Sequence, residues 1–240
     1  LGALGDGGFD DSTVPVVVQA PDASGPLTDV RSISAGFGHT CAALTSGEAR
    51  CWGYNTNGIG DGTTVNRPRP VAVSNPAGTG PLTGVADVSA AAGYSCAELS
   101  NGEARCWGAN TSAQLGDGTT TARSRPVVVG NETGTGPLTD ITQIAGGQTH
   151  TCALLSSGQV RCWGANADGR LGDGTTTDRA RPVAVSNPEG TGPLTGVTHL
   201  AVGYLQTCAA LDTGQAVCWG KNANGQLGDG TTITRLRPVV

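Results

Sequence analysis

The 240 residues include no methionine, a single lysine (Lys221), two phenylalanines and three tyrosines, and aromatic side chains make up only 4% of the chain. Each scarcity excludes something. Fourteen basic residues stand against nineteen acidic ones, the net charge is −5, and there is no basic run. A nucleic-acid footprint needs clustered Lys and Arg, so no nucleic-acid partner is expected. No apolar stretch reaches the ~18 residues of a membrane span, and no signal peptide is visible. Membrane insertion is therefore not expected. Without methionine, Leu1 reads as the start of a processed product or an excerpt. Bulky side chains cannot dominate the core, although a compact fold of this size buries roughly 70% of its unfolded surface. Val, Ile, Leu and Ala must build it, with the four tryptophans as the largest units. No segment holds the 3.6-residue apolar spacing and caps of a helix.

What is present recurs at intervals. The tryptophans stand at 52, 107, 163 and 219. "LGDG" or "IGDG" starts at 4, 59, 115, 171 and 227, and "GPLT" at 25, 80, 136 and 192. One unit of about 56 residues accounts for nearly the whole chain. Each unit reads as four short strands; in the first they are "VRSISA" (30–35), "HTCAAL" (39–44), "EARCW" (48–52) and "PVAV" (70–73). Gly, Pro, Asn and Ser punctuate the gaps. Repeated four-stranded units predict an all-β propeller, whereas a β-sandwich needs no near-identical units. Four complete blades are expected at 30–73, 85–129, 141–185 and 197–240. Residues 1–29 read as the outer strand of a preceding blade and a connector. The last blade already has its outer strand, so the leading strand finds no vacancy. The chain reads as a segment of a longer array or a unit that associates end to end.

The run "HTCALLSSGQVRCWGANADGRLGDGT" (150–175) resembles the RCC1 repeat, the regulator-of-chromosome-condensation family. That repeat follows H-(S/T)-x-A-L…G-x-V-x-x-W-G-x-N-x-x-G-Q-L-G-x-G, and the match covers all four units. The resemblance implies a propeller, usually of seven blades, a count this chain departs from. It also brings the precedent of bacterial secreted RCC1-like β-propellers, which cap an enzyme's active site with aromatic loops.

The cysteines pair at i and i+10: Cys41 with Cys51, Cys96 with Cys106, Cys152 with Cys162, and Cys208 with Cys218. A three-residue loop with glycine third suits a type I turn followed by a left-handed glycine. Closing the first hairpin on Leu44 and Glu48 sets Ala43 opposite Ala49, Ala42 opposite Arg50, and Cys41 opposite Cys51. That pair is non-hydrogen-bonded, with Cα atoms ~4.5 Å apart, at the short end of the disulfide range. Reduced buried cysteine is the competing reading. Metal binding is a third, although two thiolates per unit leave a tetrahedral site incomplete. A disulfide in every blade is the preferred reading, and it predicts an extracellular or cell-surface protein.

"NADGRLGDG" (166–174) superficially resembles a calcium loop but lacks the Glu that would follow it. A glycine-rich turn whose Asp accepts backbone N–H bonds is preferred. Asp61, Asp117, Asp173 and Asp229 each precede an R-x-R-P pair: Arg67/Arg69, Arg123/Arg125, Arg179/Arg181 and Arg235/Arg237. A pair in every unit predicts an architectural Arg–carboxylate clasp, with a phosphate or sulfate site as the alternative. The tryptophans lie inside a strand, which favours a core role over sugar stacking. Asn110-Thr-Ser and Asn131-Glu-Thr have the form of glycosylation sequons.

No catalytic constellation stands out, and neither an enzyme nor a cofactor is expected. The hairpin turns and inter-blade connectors are monotonous, while the loops of the opposite face differ between units. Variable loops on a rigid scaffold are where recognition is written, and aromatic side chains are natural anchors. Phe37, His39, Tyr54, Tyr94, Gln148, His150, Tyr204 and Gln206 are the expected contact ring. The expected function is non-enzymatic binding of an unidentified protein or cell-surface component. The alternative is a structural protein that self-associates into a larger ring, fibre or surface layer.

Overall fold

A computed structural model describes all 240 residues. It holds sixteen strands and no helix. The first blade comprises β1 (Val30–Ala35), β2 (His39–Leu44), β3 (Ala49–Gly53) and β4 (Arg67–Ala72). The second comprises β5 (Val85–Ala90), β6 (Tyr94–Leu99), β7 (Ala104–Gly108) and β8 (Arg123–Val128). The third comprises β9 (Ile141–Gly146), β10 (His150–Leu155), β11 (Val160–Gly164) and β12 (Arg179–Ala184). The fourth comprises β13 (Val197–Val202), β14 (Gln206–Leu211), β15 (Ala216–Gly220) and β16 (Arg235–Val239). Each forms a four-stranded sheet in sequence order, antiparallel throughout the pairings of blades one, three and four.

The chain divides into two compact units. One takes in Leu1–Asn101, Arg105–Ala109 and Thr121–Val127; the other takes in Gly102–Ala104, Asn110–Thr120 and Val128–Val240. The first unit's core gathers Ala43, Ala49, Ile59, Val85 and Leu99 around Trp107. The second gathers Leu154, Val160, Leu171, Val197 and Leu200 around Trp219. With so few aromatics, the cores are small aliphatic side chains packed against buried indoles.

The hairpin closes in the expected register. Leu44 N–H donates to Glu48 O at 2.9 Å, Gly47 takes φ of +79°, and Ala43, Ala42 and Cys41 face Ala49, Arg50 and Cys51. All four cysteine pairs are disulfides, with Cα atoms 4.0 to 4.1 Å apart. No cysteine is free.

Residues 1–29 form no strand ladder of their own. They carry only an isolated bridge between Gln19 and Pro26, and Val14, Val16 and Val17 are exposed. An outer strand is defined by the third strand beside it, and this segment supplies none. The connector geometry is nevertheless that of the later units. Gln19 N–H donates to Gly5 O as Ser74 donates to Gly60 O and Ser186 to Gly172 O.

Neighbouring blades are tied by one recurring contact. Gly58 O accepts both Trp107 Nε1–H (2.9 Å) and the Ser95 hydroxyl (3.0 Å). Gln114 O accepts Trp163 Nε1–H (2.9 Å) and the Thr151 hydroxyl (2.8 Å). Arg170 O accepts Trp219 Nε1–H (2.9 Å) and the Thr207 hydroxyl (3.3 Å). In the leading segment Ala3 O takes the same part toward Trp52 (3.0 Å) and Thr40 (3.4 Å). Two residues beyond the acceptor stands a glycine of left-handed φ. A Cβ on Gly60 or Gly116 would lie 2.7 Å from the indole nitrogen, and one on Gly172 would lie 2.8 Å from it. The repeated L-G-D-G is thus the imprint of an indole lying on backbone.

Two outcomes are expected. Replacing Cys152 and Cys162 together by alanine lowers unfolding free energy by about 2–3 kcal/mol, the loop entropy of one small closed ring, as read from denaturant midpoints. Trp163→Phe removes the N–H to Gln114 O together with the buried pyrrole ring, and is expected to cost at least about 2 kcal/mol in the same assay.

Candidate binding face and its supporting polar network

The turns joining first and second strands share a face with the long loops joining third and fourth. In blade one the turn is pinned by Gly36 N–H to His39 O (2.8 Å) and by Tyr54 N–H to Gly38 O (2.8 Å). The chain leaves β3 at Gly53 with φ of +108°, and a Cβ there would meet Gly38 O at 2.6 Å. These contacts hold Phe37 and Tyr54 outward, 91% and 42% exposed. In blade three, Ala165 N–H likewise donates to Thr149 O (2.9 Å), and in blade four Lys221 N–H donates to Leu205 O (3.0 Å). Gln148 N–H donates to Tyr204 O (3.3 Å), and its Nε2 donates to the Tyr204 hydroxyl. Tyr204 is 58% exposed, and Gln148 and Gln206 are half-buried. Gln206 Oε1 turns back to accept Leu205 N–H (3.2 Å).

Three expected contact residues are not on this surface. His39, Tyr94 and His150 are buried. Residues two apart along a strand share a face, so the first residue of strand two goes with the buried cysteine two places on. It faces the neighbouring blade. His39 Nε2 meets the Ser95 hydroxyl at 2.7 Å, and His150 Nε2 meets that of Thr207 at 2.9 Å. The His–Ser pair is structural. The serine hydroxyl donates to Gly58 O and both groups are buried, so no substrate can reach them.

Burial pushes the His39 imidazole down to about 4. Burial, with the Arg170 guanidinium nearby, pushes His150 down to about 3. Arg170 itself went unforeseen. It stands where blades two and four carry Gln114 and Gln226. From a buried position its guanidinium donates to Thr149 Oγ1 (3.0 Å) and to Asp168 Oδ2 (2.5 Å), bracing the loop under the Gln148 turn. The one signal in the sequence is the arginine that replaces glutamine in "GRLGDG".

The expected Arg–carboxylate clasps resolve into two separate devices. In three of the four pairs the first arginine closes its own blade's loop. Arg67 reaches Asp61 at 2.7 Å, Arg179 reaches Asp173 at 2.9 Å, and Arg235 reaches Asp229 at 2.7 Å. The same carboxylates accept Thr63, Thr175 and Thr231 backbone N–H at 2.9 to 3.0 Å, and Asp117 so holds Thr119. Asn55, Asn110, Asn166 and Asn222, all buried, donate to the Asp Oδ1 at 3.0 to 3.3 Å. Burial raises the Asp61 and Asp173 carboxyls, and the bonds from threonine and arginine outweigh it, leaving both below the usual range. Asp229, led by its Thr231 bond, lies at about 2.

The second arginine lies elsewhere. Arg69 Nε donates to Gln19 (3.0 Å). The Arg125 guanidinium lies against Gly62 and Gly78, that of Arg181 against Gly118 and Gly134, and that of Arg237 against Gly174 and Gly190. A side chain threads only one cradle, so the single clasp expected of both arginines was the wrong geometry. Arg123 opens β8.

The calcium-like loop has its oxygens engaged, Asp173 by Thr175 and Asp168 by Arg170. All four indoles are buried and unavailable for stacking on a sugar. Asn110 is a buried brace of its loop, whereas Asn131 lies nearer the surface, bonded to Thr135.

Repeat, blade and latch define a β-propeller of the RCC1 class. The comparisons agree: two family models described as regulator of chromosome condensation (RCC1) repeat match residues 30–59, 141–170 and 197–226, and 101–154 and 157–210. Together they span more than half the chain, which therefore belongs to the RCC1-repeat family. Human E3 ubiquitin-protein ligase HERC2 is 32% identical over 218 residues, covering 88% of this chain and 4% of that protein. The ultraviolet-B receptor UVR8 of Arabidopsis thaliana is 29% identical over 240 residues, covering all of this chain and 51% of the receptor. The chain thus spans at most about half the length of these curated relatives. Among solved structures, human WBSCR16 superposes with a TM-score of 0.73 at 24% identity, over 88% of this chain and 52% of that one. Yeast RCC1 in its complex with Kap60 gives 0.66 at 25%, over 88% and 49%. The fold is an RCC1-like β-propeller.

The histidines set an acid limit. Each folded pKa lies below the unfolded 6.5, so the unfolded state binds more protons and stability rises with pH between the two values. The contribution is complete above pH 6.5 and is lost as pH falls toward 4 for His39 and 3 for His150. For His39 the full loss is about 3 kcal/mol. Chemical denaturation between pH 7 and 4.5 is expected to show this decline. The double variant His39→Gln, His150→Gln, which copies Gln206, is expected to flatten it.

Proposed function

We propose that this chain is a non-enzymatic binding module, secreted or held at a cell surface, that recognises a protein or surface component through its exposed loop tips. The observation that carries this reading is Phe37. One of only two phenylalanines stands almost wholly in water, on a turn fixed by backbone bonds, with Tyr54 beside it. A rigid aromatic loses little entropy when it is covered and so makes a strong anchor. Tyr204 supplies a second such tip, held by Gln148. Arg170, Asp168, the four asparagines and the aspartates beneath these tips brace the loops of their own blades.

The compartment follows from the cysteines. Four disulfides and no free thiol suit an oxidising environment. A binding role agrees with yeast RCC1, a similar propeller seen bound to Kap60.

The test offers immobilised native chain to extracellular and surface proteins of its source cells. A saturable partner is expected, and Phe37→Ala with Tyr54→Ala weakens it about tenfold or more. The unfolding free energy is expected to move by no more than about 0.5 kcal/mol. Undiminished binding without these rings refutes the face. Free thiols in protein isolated from its source refute the compartment.

A further inference from the structure

The long loop of the first blade is one residue shorter than its counterparts. Asn55 stands four residues before Ile59, whereas Asn110, Asn166 and Asn222 stand five before Leu115, Leu171 and Leu227. In the three longer loops a tight turn follows the asparagine. Ala113, Gly169 and Gly225 take φ of +61° to +75°. Their N–H groups donate to the carbonyls of Asn110, Asn166 and Asn222 at 2.8 to 2.9 Å.

The shortened loop loses that turn. Asn57 and Ile59 N–H both go to the Asn55 side-chain oxygen, at 3.1 and 3.3 Å. Gly58 N–H, between them, donates to no group of the chain. Gly58 O nevertheless remains the latch acceptor for Trp107 and Ser95. Asn57 takes φ of +103°, a conformation that side chains rarely adopt and that persists only where the surroundings impose it. Its own half-buried amide bonds to nothing in the chain.

We propose that Asn57 is a modification site, where the Gly58 backbone nitrogen attacks the asparagine side chain and leaves isoaspartate beside the latch. The Gly58 nitrogen gives its proton to solvent base and bonds to Asn57 Cγ, and ammonia leaves. The product is a five-membered succinimide. Water opens that ring at either carbonyl. Breaking the bond to Cγ gives aspartate; breaking the bond to the backbone carbonyl carbon routes the chain through Cβ and gives isoaspartate. One water is consumed, one ammonia is released, and nothing is oxidised or reduced. Glycine after the asparagine suits the attack because it has no Cβ to obstruct it.

The chain has two other Asn-Gly pairs. At Asn224 the attacking group is engaged, since Gly225 N–H donates to Asn222 O at 2.9 Å. Asn101 lies on the exposed hairpin turn between β6 and β7, and no latch carbonyl follows it. Asn57 alone combines a glycine N–H without a partner and a carbonyl on which the next blade depends. Isoaspartate there adds a backbone atom immediately before Gly58 and a negative charge beside it. Both displace the carbonyl that Trp107 and Ser95 share.

The test ages the intact, folded chain at mildly alkaline pH, with reduced, denatured chain as the reference for each site. Peptide mapping by electron-transfer fragmentation distinguishes asparagine, aspartate and isoaspartate. Scaled to the denatured chain, Asn57 is expected to convert about tenfold faster than Asn224, whose glycine must first break its hydrogen bond. The form modified at Asn57 is separated by its added charge. Its Trp107 Nε1–H resonance is expected to shift, with those of Trp163 and Trp219 unmoved. Asn57→Gly, which suits the positive φ, is expected to show no Trp107 change on ageing. Conversion at Asn57 no faster than at Asn224 overturns the proposal. So does a form modified at Asn57 whose Trp107 resonance stays in place, or an aged Asn57→Gly chain whose Trp107 resonance moves.

Discussion

In the leading segment and the first three blades, one carbonyl receives two hydrogen bonds from the blade that follows, an indole N–H and a hydroxyl, and most of the repeat exists to make that possible. The acceptors Ala3, Gly58, Gln114 and Arg170 differ in side chain because the latch takes only their backbone oxygen. The donors are fixed in kind: tryptophan, with Ser or Thr. The glycine two residues on must lack a Cβ for the ring to lie down. The buried asparagine and the Asp–Arg clasp then hold the loop that carries the acceptor. A chain with so few large side chains cannot rely on bulk to position its sheets. It uses directional bonds to backbone, buried where water cannot compete.

This arrangement explains where recognition has room. The residues of the latch, the clasp and the hairpin each satisfy a partner inside the fold, and changing one leaves another buried group unpaired. The tips of the turns between first and second strands carry no such obligation beyond their backbone bonds. Phe37 and Tyr204 stand there, and the aligned positions in the other blades carry Ala92 and Gln148. The disulfides act on the same problem from another side. They clip the second strand to the third, so that turn and long loop spring from one rigid ribbon.

Much of this was legible in the residues. The glycine in "TSG" fixes the hairpin, the hairpin fixes the register, and the register sets Cys41 opposite Cys51. The four-stranded units followed from period and turn residues, and their boundaries moved by only a few positions at the third and fourth strands. The misses share a cause: each concerned a contact between repeats. The contact ring wrongly included His39, Tyr94 and His150, because the position after a variable turn was read as part of the turn. Counting by twos from Cys41 places it inward. The two arginines of R-x-R-P were read as one device because they sit two apart. The second reaches a glycine cradle at the Gly62 or Gly118 loop, a separation no local pattern reveals.

The most direct test of the latch is solvent exchange of the indole protons, followed by NMR at neutral pH. Trp107, Trp163 and Trp219 donate from buried rings to backbone carbonyls. Their Nε1 protons are expected to exchange only through global unfolding, as slowly as the core amides of β2, β6 and β10. Indole protons that exchange orders of magnitude faster than those amides, in a chain whose disulfides and unfolding transition are intact, would contradict the account.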